Sequence, residues 1–496
     1  MTASQQRQPA ATGPDLLLRD VRVVGRDHAP VDVLVEGGVV SALAPDITPG
    51  SVETVECGGR FLAPGLWDNH VHMEQWALVR QRLDVTSAGS ARETVDLVRD
   101  RILEDRPDDR DLLVGYGFRD ALWSDTPTAE LLDTAGEFPV ALVSADLHAV
   151  WLNSKGLALV GQATHATGLL REQAAFDASG VITAIDSSRM DDWVDEASRA
   201  AAARGVVGIV DLEMTLSIDA WAERVSRGSD ALRVRTGVYP GDLDEVIARG
   251  LRTGDAVPGG AGLVTMGPAK IITDGSLNTR TAYCHDPYAQ GGGVGLPSFS
   301  FDELTELMRR ASNAGLVPAV HAIGDHANSL ALDAFELVGC GGSIEHAQLL
   351  RAVDVARFAR LGVIASVQPE HAMDDRDIAE VYWAGRTGRA FALESLAAAG
   401  VALRLGSDAP VAPLDPWIAL DAAVTRSRDG REPWHPEQSL PVAVALAAST
   451  DGRDSVTQGS LADLVLLDAD PLATDDLRGM PVAATLLGGR FTHSAL

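Results

Sequence analysis

Positive charge is scarce in this sequence. It has 41 Lys and Arg against 70 Asp and Glu in 496 residues, a formal net charge of −29. A chain this acidic repels phosphate backbones and anionic lipid, so neither nucleic acid nor a membrane is an expected partner. Cysteine is almost absent. Cys57, Cys284 and Cys340 are odd in number and lack metal-ligand spacing. That excludes a disulfide framework and fits a reducing, cytoplasmic compartment. No apolar run approaches the roughly 18 residues that span a bilayer. Residues 1–14 contain no apolar stretch of the signal-peptide kind and read as a disordered polar tail. What is plentiful is apolar content, 46% of the chain. That marks a globular chain, and a length of 496 residues allows one large barrel with a smaller domain, or about three average domains.

Both ends of the chain read as short strands. Leu16–Leu18, Val21–Val24, Val31–Val35 and Val39-Val40 are β-rich and are separated by Gly, Asp and Pro, with a hairpin signal at Glu36-Gly37-Gly38. Ala462–Asp468 and Ala483–Phe491 have the same character. Neither piece closes a core alone, so residues 15–62 and 455–496 are expected to meet in one small β-sandwich domain. Between them, from about residue 300, strand and helix alternate. Ser300-Phe301-Asp302-Glu303 is a capping box, and Asn313-Ala314-Gly315 ends that helix. Strands are expected at 316–321, 343–346, 363–368 and 401–405. Upstream candidates lie at 66–72, 208–212, 234–238 and 269–272. Eight buried-type strands alternating with helices make a (β/α)8 TIM barrel the expected architecture of residues 63–454. Residues of about 105–200 break the alternation and read as an insertion on the catalytic face.

Ligand-type residues recur at the ends of these strands. Trp67-Asp68-Asn69-His70-Val71-His72 opens the set, Lys270, His321 and His346 continue it, and Gly406-Ser407-Asp408-Ala409-Pro410 closes it. Alternate residues of a strand share a side, so His70 and His72 aim two imidazoles at one point. Nitrogen and carboxylate ligands converging at the C-terminal ends of barrel strands suit zinc or a similar transition metal. A metal-dependent hydrolase is the expected class. The Gly291-Gly292-Gly293 run lacks the strand–helix setting and trailing Lys-Ser/Thr of a phosphate cradle.

The motifs also carry a family resemblance. Pro64–His72 resembles the first-strand motif of the amidohydrolase superfamily. The following segments are similar to the amidohydrolase 3 or YtcJ-like branch, which includes N-substituted formamide deformylases: Asp146–Ser154, Lys270–Leu277 with Arg280-Thr281-Ala282, His321–Asp325, Glu345–Gln348 and Gly406–Val411. The chain departs from that pattern at Asn278-Thr279, where many relatives carry Gly-Ser, and at His326, where Arg is usual. The resemblance implies one or two divalent metals, a small-molecule amide substrate and a homodimer or larger oligomer.

In this reading His70, His72 and Asp408 hold the more buried metal, and His321 and His346 a second one. A protonated lysine cannot coordinate a dication. The resemblance therefore implies that Lys270 is carboxylated, as a carbamate that bridges two metals. The alternatives are an ordinary Lys270 paired with Asp274 or Asp408, and Glu213 as the bridging ligand. Asp408 is also the expected general base. His148, Asn153 and Arg280 are candidate substrate-binding residues, and Trp123 and Trp151 candidate apolar wall or core. The expected reaction is hydrolysis of a non-peptide C–N amide bond in an N-formyl or N-acyl substrate. Rival readings are an ester, lactone or cyclic imide hydrolase, and a non-catalytic binding or assembly protein.

Overall fold

Leu66–Val71 is buried at every position, and so is Val206–Asp211. Strands that face no solvent on either side belong in a parallel sheet covered by helices. The computed structural model describes residues 13–26, 29–104, 112–118, 120, 123–144, 149–163, 165–171, 173–186, 189–278, 280–291 and 293–496. It joins eight strands in one sheet. In chain order they are Leu66–Val71, Val206–Asp211, Arg233–Val238, Val264–Ile272, Pro318–Ala322, Ser343–His346, Ile364–Val367 and Leu403–Leu405, each paired in parallel with the next. The last strand returns to the first through a parallel bridge between Val71 and Ala409. At that seam Asp408 N–H donates to His70 O at 2.8 Å, and His72 N–H to Ala409 O at 2.8 Å. The TIM barrel is thus closed by the segment that carries Asp408.

Helices coat the outside. Phe301–Asn313 begins with the full capping box of Ser300 and Glu303, and Asp325–Val338 stops at Gly339 in the left-handed conformation. Leu304, Met308, Leu332, Phe335, Phe358, Leu396, Trp417 and Leu420 pack from the helical layer against Val320, Ile344, Ala365 and Leu405 of the strands. At the N-terminal end of the barrel Trp67 lies under the Arg235 guanidinium, 4.0 Å from the ring centre, and Arg235 is paired twice with Asp451. Gly208 makes room for that indole, since a Cβ there would come within 2.5 Å of it. The helix Pro369–Tyr382, which follows the seventh strand with proline in its first turn, was not anticipated from the sequence.

The chain ends form one seven-stranded sheet. Its order is Arg490–Ser494, Val482–Leu487, Leu464–Leu467, Glu53–Pro64, Leu16–Val23, Val31–Glu36, Val39–Ala44. The hairpin turns at Gly37 and Gly38, both at positive φ as that tight turn requires. A bridge from Val39 to Leu461 brings one edge of the sheet back to the lead-in of its third strand. The two halves then share one core of Leu16, Leu18, Val33, Val35, Leu464, Leu466 and Leu486.

Residues Ala77–Ala197 form a second compact unit, which starts earlier in the chain than the expected insertion. Its sheet runs Leu169–Arg171, Ala149–Leu152, Val140–Ser144, Leu113–Phe118, Leu83–Asp84. Trp151 and Phe118 are fully buried core there, and the partly buried Trp123 packs against them. Among the described residues, no helix is long and apolar enough to cross a membrane.

Candidate metal centre

His70 sits at the C-terminal end of the first strand and is 1% exposed. Its Nε2 lies 3.4 Å from Asp408 Oδ1 and 3.1 Å from Lys270 Nζ. His72, just beyond the strand, puts Nε2 at 3.3 Å from the same carboxylate oxygen. From the other side His371 Nε2 stands 3.8 Å from Asp408 Oδ2, and its ring lies 6.0 Å from that of His346. Two three-donor groups result, His70–His72–Asp408 and His346–His371–Asp408, each with its ligand atoms within 4.8 Å of one another. Asp408 belongs to both.

The backbone is bent to achieve this. His346, Ala347 and Asp408 have φ of 70°, 42° and 57°. Side-chain-bearing residues avoid this left-handed region unless their surroundings enforce it, and such outliers gather at functional sites. Asp68 lies under the site and accepts from His70 N–H at 3.2 Å and Ser407 N–H at 2.9 Å, joining the first strand to the eighth. Burial pushes its carboxyl up to about 7.

The donor set fits a divalent cation. His72 Nδ1, His321 Nε2, His346 Nδ1 and His371 Nε2 are buried without a hydrogen-bond partner among the described residues, an arrangement that costs free energy unless something else pairs with them. Burial, with Lys270 beside it, lowers His70 to about 4, so the ring is the neutral form that binds metals. Burial raises Asp408, but His70, His72, His346 and His371 together pull it well below the carboxylate range and keep it anionic.

Lys270 is 2% exposed, and burial lowers its pKa. Among the described residues no carboxylate pairs with Nζ, neither Asp274 nor Asp408; its partner is His70 Nε2. Asp274 is occupied elsewhere, accepting N–H bonds from Tyr283, Ile323 and Gly324. Its Oδ1 also faces His321 Nε2 at 3.4 Å.

Several candidates are placed differently from expectation. His321 neighbours His346, with ring centres 4.5 Å apart, but His371 and not His321 completes the second three-donor group. Glu213 is not positioned as a bridge. It accepts from the N–H groups of Glu74 and Gln75 and from the Gln75 amide, and so caps the helix Met73–Arg80. Asn153 is also a cap. Its Oδ1 accepts from Val140 N–H at 2.9 Å and Gly156 N–H at 2.8 Å, and its Nδ2 donates to Phe138 O at 2.8 Å. Its side chain is 1% exposed and is bonded at both ends of its amide within the fold. Asn153→Ala should therefore cost about 1–3 kcal/mol of stability, seen as a lower urea midpoint; an unchanged midpoint would contradict the capping role. Arg280 is exposed and lies 5.3 Å from the centre of the Tyr382 ring. His148 lies outside the described residues.

Comparison with known proteins places the chain in a family. The family model described as Amidohydrolase family matches residues 53–493. Protein LONG AFTER FAR-RED 3 of Arabidopsis thaliana is 26% identical over 91% of this chain and 85% of its own length. N-substituted formamide deformylase of Arthrobacter pascens is 25% identical over 95% of this chain and 98% of its own. Among solved structures, a metal-dependent hydrolase from Pyrococcus horikoshii OT3 aligns with a TM-score of 0.78 at 25% identity, covering 94% of this chain and 99% of that one. The family match takes in all eight barrel strands and most of the chain, and on that basis the chain belongs to the amidohydrolase family of metal-dependent hydrolases.

Proposed function

We propose that this protein hydrolyses a non-peptide C–N amide bond in a small N-formyl or N-acyl substrate. The observation that carries this reading is the convergence of His70, His72, His346 and His371 on the two oxygens of a single buried carboxylate, Asp408. Likeness to a formamide deformylase along nearly its whole length supports the amide class.

His70, His72 and Asp408 would hold one cation, and His346 with His371 or His321 a second. A divalent ion held there supplies a water of lowered pKa and polarises the substrate carbonyl. The remaining chemistry belongs to the side chains. Asp408, anionic and central, takes the proton of the attacking water and hands it to the departing nitrogen. The C–N bond breaks as nitrogen takes that proton, so the amine leaves neutral and the acyl group leaves as the carboxylic acid. Lys270, a buried amine of lowered pKa, reacts through its neutral form with carbon dioxide, losing a proton to become a carbamate. That anion would turn the buried Lys270 side chain into an oxygen donor.

Dialysis against a chelator should reduce hydrolysis of an N-formyl amine more than tenfold, and added Zn²⁺ should restore it. The matching ester, assayed in parallel, should be the poorer substrate. Full activity in protein shown by elemental analysis to be metal-free would refute the reading. Ester turnover with no amide turnover would move it to the ester class.

A further inference from the structure

We propose that Glu345 is a positioning residue for the metal site: its buried carboxylate sets the tautomer and ring orientation of His70, so that Nε2 faces the cation position. This rests on the metallohydrolase reading above.

Glu345 Oε2 lies 2.8 Å from His70 Nδ1, with the carboxylate 4% and the imidazole 1% exposed. The contact crosses the barrel interior from the sixth strand to the first. An ionised carboxylate only accepts, so Nδ1 must carry the proton and Nε2 must keep its lone pair. Nε2 is the nitrogen that lies among Asp408 Oδ1 and Lys270 Nζ. The other carboxylate oxygen is held by Ser343 Oγ–H at 2.6 Å. Ser343 and Glu345 are alternate residues of one strand and share its side. The Gln368 amide is 3.4 Å from the same Nδ1, and its Oε1 has no partner. Turning that amide over would give Nδ1–H a second acceptor.

The next residue adds a second reason. Neighbours in a strand point to opposite sides, yet the His346 ring lies 5.0 Å from the His70 ring and belongs to a donor group with Asp408. The φ of 70° at His346 accompanies that departure from strand geometry. One dipeptide therefore supplies both the partner behind His70 and a ligand in front of it. A ligating histidine whose other N–H is fixed by a carboxylate binds metal more tightly, and loss of such a partner typically costs about 10–100-fold in affinity.

The test is Zn²⁺ affinity of the full-length protein, by competition with a chromophoric chelator. Glu345→Gln should bind Zn²⁺ about 10–100-fold more weakly than wild type. Ser343→Ala, which removes only the clamp on the carboxylate, should shift affinity the same way by less. The Tm of each metal-free protein serves as the control. A purely structural ion pair would lower that Tm and leave affinity alone, and this result in the folded variants would overturn the proposal. If Glu345→Gln does not fold, Ser343→Ala decides by itself, and unchanged affinity there also overturns it. Wild-type protein with no Zn²⁺ affinity would instead sink the metallohydrolase reading.

Discussion

Replacing Asp408 with asparagine is expected to lower kcat by about a hundred- to ten-thousandfold, the range for loss of a positioned acid–base group. The two residues are nearly equal in size, and Asp408 N–H still donates to His70 O across the barrel seam, so the fold should survive. Two functions are lost together, however, because the carboxylate faces histidines through both oxygens. They can be separated by assaying at saturating metal. Activity restored by excess metal would mean that Asp408 acts only as a ligand. Activity still absent with the metal bound would assign it the proton transfer. A folded variant with wild-type turnover would remove Asp408 from the mechanism.

Asp463→Ala should be the most damaging single change to stability, at about 3–5 kcal/mol. Asp463 meets Arg233 through both oxygens, at 2.7 and 3.0 Å, and the side chains are 2% and 3% exposed. The same carboxylate accepts from Gly488 N–H at 2.8 Å, and its backbone oxygen accepts from Gly65 N–H at 2.9 Å. The residue thus ties the third barrel strand to the sheet built from the chain ends. Alanine would leave a guanidinium buried without its counter-ion. The Asp219–Arg249 pair is the control: with side chains 76% and 33% exposed, Asp219→Ala should cost no more than about 1 kcal/mol. Urea midpoints of the two variants check this, and equal midpoints would contradict it.

The barrel was legible because its strands are buried on both faces and its helices carry strong end signals. Ser300 and Glu303 spell out a capping box, and the helix they open ends at Asn313 as expected. The Glu36-Gly37-Gly38 turn was equally plain. What failed was the meaning of single polar residues. Asn153 and Glu213 carry groups that could serve a ligand, but both are spent on helix N-termini. The clue in Asn153-Ser154-Lys155-Gly156 was a capping residue ahead of a helix. His371 was missed for the opposite reason. The strand pattern ends at Gln368, and Pro369 opens a helix at once. A helix starting directly after a barrel strand places its first turn on the catalytic face, and that rule would have flagged His371. The placement of Glu345 behind His70 could not be read from sequence at all, since 275 residues separate the two.

The closure of the barrel through His70, His72, Asp408 and Ala409 constrains how this molecule can diversify. Elsewhere on the rim, away from His346 and His371, a lengthened loop would leave the donor groups where they are. Here an added residue would pull apart the last and first staves and scatter the reacting groups in one stroke. New substrate preferences must therefore arise in the other connections, while this short stretch stays fixed in length.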